Sequence, residues 1–324
     1  MNMLITSDRK MLDLIQLAKT VAQSKATVLI QGDSGTGKEL MAELVHRSSS
    51  RVQRSFVAIN CAAIPEALLE SELFGYEKGA FTGAHSSRPG KFEQASGGTL
   101  LLDEISEMEL RLQAKLLRVI QEGVVDRVGG RRPIPVDVRI IATTNRNLAD
   151  CVKEGTFRED LFFRLNVVTL TLPKLKNRLG DIRLLAEHFV RNYAQKNKKP
   201  VAGIAPEAIA LLESHDWPGN VRELENVIER AIITAREPVI QARDFVLERI
   251  APKAEIEAAP MGILPEAKMQ WIPGTTLQDI ERDIILNALV YHQGNRTHTA
   301  RALGISIRTL RNKLADYRRL GIQV

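Results

Sequence analysis

Gly32-Asp33-Ser34-Gly35-Thr36-Gly37-Lys38-Glu39 is the stretch that decides the fold. The short apolar run at residues 27–31 reads as a strand leading into it, and residues 40–46 read as the helix that follows. Glycines let the backbone curl so that successive N–H groups turn toward phosphate oxygens. The helix N-terminus adds partial positive charge, and Lys38 supplies a mobile full one. The general pattern places Ser or Thr after the lysine, to touch Mg²⁺; Glu39 stands there instead. A plain Gly-rich turn before a helix is the bland alternative. The strand–loop–helix context favours nucleotide binding.

Outward from the loop, residues 56–60, 99–103 and 139–143 also read as strands. Each is short and apolar on both faces, with a helical segment before the next, which predicts a parallel sheet covered by helices. The third strand closes Gly97-Gly98-Thr99-Leu100-Leu101-Leu102-Asp103-Glu104, so two acids follow an apolar run, 65 residues after Lys38. An acid at such a strand end holds Mg²⁺ directly or through water, the role expected of Asp103. Glu104 is placed to polarise an attacking water as general base. Paired acids also simply open helices; together with the loop, the catalytic reading is preferred.

Composition excludes several classes. Of 324 residues, 44% are hydrophobic and 26% charged, which rules out a mainly disordered or collagen-like chain. Residues 1–22 carry Asp8, Arg9, Lys10, Asp13 and Lys19, so they lack a signal peptide's apolar centre. Apolar runs stay far below the ~20 residues of a membrane span. Cys61 and Cys151 form no disulfide pattern and fit a reducing cytoplasm. The net charge of +6 is localised: residues 295–324 hold seven of the 45 basic residues but one of the 39 acids, leaving 38 of each before them. A basic tail on a neutral body points to a polyanion.

These motifs resemble those of bacterial enhancer-binding proteins, the AAA+ ATPases that activate transcription by sigma-54 RNA polymerase. In that family Glu follows the loop lysine, so Glu39 fits the pattern. The resemblance runs from about residue 5 to 245 and continues in the tail. Glu77-Lys78-Gly79-Ala80-Phe81-Thr82-Gly83-Ala84 matches the family's sigma-54-contacting loop letter for letter. Small residues there leave little with which to build a core, which predicts a flexible loop presenting Phe81 and Thr82. By resemblance, Asn60 matches the asparagine that holds the catalytic glutamate, and Asn145 lies in the sensor I segment. Arg158 and Arg164 match arginine fingers acting on a neighbouring subunit's ATP, which implies a homo-oligomer, from dimer to hexamer ring. Trp217-Pro218-Gly219-Asn220-Val221-Arg222 matches sensor II, with Arg222 facing the nucleotide. Lys174-Leu175-Lys176-Asn177-Arg178 departs from the family's Pro-Leu-Arg-Glu-Arg, and Lys176 loses an arginine's bidentate fork between subdomains.

In the tail, residues 297–303 and 307–317 read as helices around the turn Gly304-Ile305-Ser306, a helix-turn-helix similar to that of the nucleoid protein Fis. Leu303, Ile305, Leu310 and Leu314 pack the helices. Arg296, Thr297, Ile307, Arg308, Thr309, Arg311, Asn312 and Lys313 are the expected contacts to double-stranded DNA. The amphipathic segment 277–290 is the expected dimer interface.

The expected fold is α/β. It comprises an AAA+ P-loop core with a parallel sheet (1–172), a helical lid (173–250), a Pro-containing linker (251–276) and an all-α helix-turn-helix module (277–324). ATP and Mg²⁺ are the implied cofactors, and sigma-54 RNA polymerase and upstream DNA the implied partners in the bacterial cytoplasm, at the nucleoid. Tail stretches such as Asn295-Arg296-Thr297-His298 also resemble flagellar regulators of the family. No receiver domain precedes the resemblance. The expectation is control by a separate protein in trans or by abundance, or else a chain that is a fragment. The alternative function is an ATP-responsive DNA-binding regulator that does not act through sigma-54.

Overall fold

Both faces of the central strands are apolar, so both faces must be covered. The computed structural model describes residues 4–235, 237–247, 276–291 and 295–319; residues 251–275 of the expected linker lie outside them. The strands are β1 (Val28–Gln31), β2 (Phe56–Asn60), β3 (Thr99–Asp103), β4 (Arg139–Thr144) and β5 (Val168–Thr171). They form one sheet in the order β2-β3-β4-β1-β5, every pairing parallel. Residues 168–171, absent from the expected strands, supply the edge beyond β1. Their alternation of Val168, Thr169, Leu170 and Thr171 is the weak signal of a half-covered edge.

On one face, Val28, Ile30, Leu101 and Ile141 pack against helices α1 (Arg9–Ala22) and α2 (Lys38–Arg47) through Met11, Ala18, Met41 and Val45. On the other, Leu29, Ile59, Leu100, Leu102 and Ala142 pack against α3 (Leu110–Glu122) and α4 (Glu159–Leu165). Parallel strands place all their C-terminal ends at one edge, where α/β sheets bind ligands. The loop 32–37 and the acids Asp103 and Glu104 sit at that edge.

A separate core, around the fully buried Trp217, joins α5 (Leu179–Lys196), α6 (Pro206–Glu213) and α7 (Asn220–Thr234). Trp217 donates its indole N–H to the Leu212 carbonyl at 2.8 Å, so its polar edge is satisfied.

Met1–Ile250 and Ala251–Val324 are distinct compact units. In the second, α8 (Leu277–Tyr291), α9 (Arg296–Ala302) and α10 (Ile307–Arg319) enclose Ile285, Ala300, Leu310, Leu314 and Tyr317. Leu289, Leu303 and Ile305 flank that cluster. The apolar face expected to serve a dimer is therefore partly used within the unit: Ile285 and Leu289 face the unit's own core, while Ile284 stays 43% exposed.

Candidate nucleotide site and contact surfaces

The loop after β1 is held by its carbonyls. Gly32 O accepts from the Lys38 ammonium at 2.9 Å, and Asp33 O accepts from the Thr36 hydroxyl at 2.8 Å. The next three carbonyls are taken by lid residues. Ser34 O accepts from Asn220 Nδ2 (3.0 Å), Gly35 O from the Val221 N–H (3.0 Å) and Thr36 O from the Arg178 guanidinium (3.1 Å). Among the described residues no acceptor is found for the N–H groups of Ser34, Gly35, Gly37 or Lys38, which are the donors an anion at this helix N-terminus would use. Gly35 has φ +76°, and a Cβ there would stand 2.3 Å from Gly219 O, so loop and lid meet where only glycine fits.

Lys38 is 6% exposed and its ammonium also lies 3.3 Å from Glu104 Oε1. Glu104 Oε2 accepts from the Asn145 N–H at 3.1 Å. Arg222 lies 3.3 Å from the Ser34 hydroxyl of the loop, and Lys174 pairs with Asp33 at 2.8 Å. Glu39 is exposed in the first turn of α2, where an acid suits the helix dipole.

Two expectations change in detail. Asn60 donates to Asp103 Oδ2 at 2.7 Å, while Glu104 is engaged by Lys38 and Asn145; Asn60 thus holds the first acid rather than the second. Its own carbonyl accepts from the Ala62 and Ala63 N–H groups at 2.9 and 3.0 Å, which fixes the amide's direction. Loss of the fork at Lys176 matters little, because Lys176 makes only a 3.8 Å exposed contact to Asp216. The buried Arg178 and Asn220 tie lid to loop, and spacing alone had not marked either for that task. Arg178 also faces the fully buried Asp181 at 3.7 Å, which in turn binds the Thr6 hydroxyl and the Ser7 N–H.

Asp103 is 8% exposed at its strand end. The described residues contain no cluster of three potential metal ligands. One carboxylate beside a phosphate loop fits a Mg²⁺ that arrives with nucleotide oxygens, and does not fit a dedicated all-protein cage.

Arg158 grips Asp160 through two hydrogen bonds (3.0 and 2.6 Å), and both side chains are exposed. Arg164, on α4, is exposed too. Neither has a described contact with the phosphate loop of its own chain.

The segment 79–84 is more ordered than its small residues imply. Gly79 N–H donates to Ala84 O and Ala84 N–H to Phe81 O, closing the turn, and Ala84 is buried. Phe81 lies 5.0 Å from the Tyr76 ring yet remains 44% exposed, and Thr82 is exposed. Arg127 clamps the base by binding Glu77 (3.0 Å) and Glu93 (2.9 and 2.7 Å), which holds the Glu93 carboxyl below its ordinary pKa. The hairpin pairing Val124–Val125 with Ile134–Pro135 was not foreseen, and its Gly129 lies against Ala80, so the two loops pack together.

In the tail, Arg296, Arg308, Thr309, Arg311 and Asn312 are exposed, as is Ile307 at 39%. Ser306 Oγ accepts the Thr309 N–H at the start of α10. Lys313 differs from expectation: its ammonium binds Glu281 of α8 at 2.7 Å and so braces the module. The Thr297 side chain lies outside the described residues.

The Sigma-54 interaction domain matches residues 4–171, the AAA+ ATPase lid domain 176–259, and the Fis family of bacterial regulatory proteins 276–317. The chain belongs to the sigma-54-dependent activator family. The transcriptional regulatory protein FlbD of Caulobacter vibrioides is 52% identical over 325 residues, covering 99% of this chain and 71% of that protein. The regulatory protein AtoC of Escherichia coli is 49% identical, covering 97% and 67%. The crystal structure of NtrX from Brucella abortus in complex with ATP superposes with a TM-score of 0.70 at 36% identity, over 98% of this chain and 69% of that one. Sigma-54 activators couple nucleotide hydrolysis to remodelling of the sigma-54 RNA polymerase closed complex while bound to upstream DNA. In this member the nucleotide loop, the 79–84 loop and the helix-turn-helix are all in place. Among the described residues, no helix is long and apolar enough to cross a membrane.

The activator's Cys61 follows Asn60 and donates its N–H to Asp103 O at 2.9 Å. Burial, and then the charges of Asp103 and Glu104, push its thiol up to about 12. At pH 8 it is almost wholly protonated and should resist iodoacetamide in the folded chain. Denaturant should release it to rapid alkylation, as followed by peptide mass mapping.

Proposed function

We propose that this chain binds ATP with Mg²⁺ and hydrolyses it, and that hydrolysis moves the 79–84 loop against sigma-54. The observation that carries the reading is the convergence of Lys38, Asp103 and Glu104 at one sheet edge beside the N–H groups of Ser34, Gly35, Gly37 and Lys38, which have no acceptor among the described residues. Glu104 accepts a proton as a water oxygen attacks the γ-phosphorus; the bond to the β-phosphate bridging oxygen breaks, leaving ADP and phosphate. Lys38 exchanges its contact with Glu104 for phosphate oxygens, and the loop N–H groups orient the chain of phosphates. Asp103 would hold the Mg²⁺, which would supply charge neutralisation on those oxygens. Asn60 positions Asp103, Asn145 senses the state of Glu104, and Arg222 reports nucleotide to the lid.

The subunit arrangement belongs to the same proposal. Arg158 and Arg164 reach a neighbouring protomer's nucleotide in a ring. Their exposure supports this, as does Phe163, 66% exposed beside Arg164. We assign 1–172 to the ATPase core, 173–250 to the lid and 277–324 to the DNA reader. The chain works in the bacterial cytoplasm, and the tail's resemblance to flagellar regulators favours motility promoters.

Open-complex formation by purified sigma-54 RNA polymerase with ATP tests the coupling. Glu104→Gln should bind nucleotide but lose turnover by ~10²-fold or more. Thr82→Ala should keep hydrolysis and lose open complexes; normal activation by that variant overturns the loop's role. For the tail, Arg311→Ala should weaken DNA binding and lower the salt dependence by about one phosphate contact, read from mobility shifts across salt concentrations.

A further inference from the structure

Thr143 belongs to none of the residues given a role above, yet it touches both acids. It is the penultimate residue of the buried run of β4, next to β3, and is fully buried. A threonine hydroxyl has one proton to give and lone pairs to accept. Here the proton goes to Asp103 Oδ1, and the hydroxyl oxygen itself accepts the Glu104 N–H at 3.2 Å. Asn60 occupies Asp103's other oxygen, so that carboxylate is gripped from two neighbouring strands.

The Glu104 contact carries equal weight. Glu104 has φ +52° and ψ +52°, a left-handed conformation that a non-glycine residue keeps only when its surroundings impose it. That turn swings the Glu104 carboxylate away from the strand line to Lys38 and Asn145. The backbone atom that the Thr143 hydroxyl holds is the N–H of the strained residue itself.

We propose that Thr143 is a positioning residue for the hydrolytic centre: one hydroxyl fixes Oδ1 of Asp103 and the turn that aims Glu104. A methyl-bearing residue without the hydroxyl fills the space but leaves both partners unheld. The inference rests on the ATPase reading, and its test separates the two.

Affinity for Mn²⁺ with ADP, followed by electron paramagnetic resonance, is measured beside ATP turnover and metal-free ADP binding. Thr143→Val should weaken Mn²⁺ binding and lower kcat, each by ~10–100-fold, the usual cost of removing a partner behind a metal ligand. Metal-free ADP affinity and KM should stay close to wild type. Thr143→Ser, which keeps the hydroxyl, should restore both losses. Wild-type Mn²⁺ affinity in the valine variant overturns the proposal, as does failure of serine to rescue. An equal loss of metal-free ADP binding overturns it too, since that marks general damage. If the valine variant fails to fold by circular dichroism, Thr143→Ala against Thr143→Ser makes the same comparison. A wild-type chain that binds Mn²⁺ and ADP without turnover overturns the ATPase reading alone, and the metal arm still decides Thr143.

Discussion

A phosphate loop must leave its N–H groups open to a ligand, so its carbonyls must be satisfied from behind. A buried carbonyl without a partner costs about 1–3 kcal/mol, and here five in succession are taken, from Gly32 to Thr36. Lys38 and Thr36 serve the first two from within the loop. Asn220, Val221 and Arg178 serve the other three from the lid. The lid is thus part of the loop's own architecture, and a change of lid angle pulls on the backbone that faces the phosphates. Gly35 and Gly219 meet at a distance that excludes a side chain, which makes the joint tight as well as polar.

The acids at the end of β3 follow the same logic. Each is held by side chains or backbone from neighbouring elements: Asn60 from β2, Thr143 from β4, Asn145 just beyond β4, and Lys38 from α2. A parallel sheet brings these strand ends together at one edge. Strain at Glu104 is maintained because the surrounding contacts leave it no easier conformation.

The contact surfaces separate a rigid base from an exposed tip. Arg127 and the neighbouring hairpin hold the 79–84 loop at its root, while Phe81 and Thr82 stay in solvent. In the tail, Glu281 withdraws Lys313 from the basic face, and Arg308 and Arg311 remain exposed on it. A residue type and a helical spacing could not foresee that Lys313 had a partner 32 positions away.

The phosphate loop, the paired acids, the 79–84 loop and the helix-turn-helix were legible because each is a local pattern, in which a few consecutive residues set both conformation and chemistry. Strands β1 to β4 were legible for the same reason, their continuous apolar runs, whereas the alternating edge β5 was not. Other assignments depend on atoms far apart along the chain. Asn220 meets Ser34 across 186 positions, Arg178 meets Thr36 across 142, and Thr143 meets Asp103 across 40. Such pairings are hydrogen bonds with strict direction and a reach near 3 Å. Sequence determined which groups this activator has at its disposal; only the packed sheet and lid decided which of them face each other.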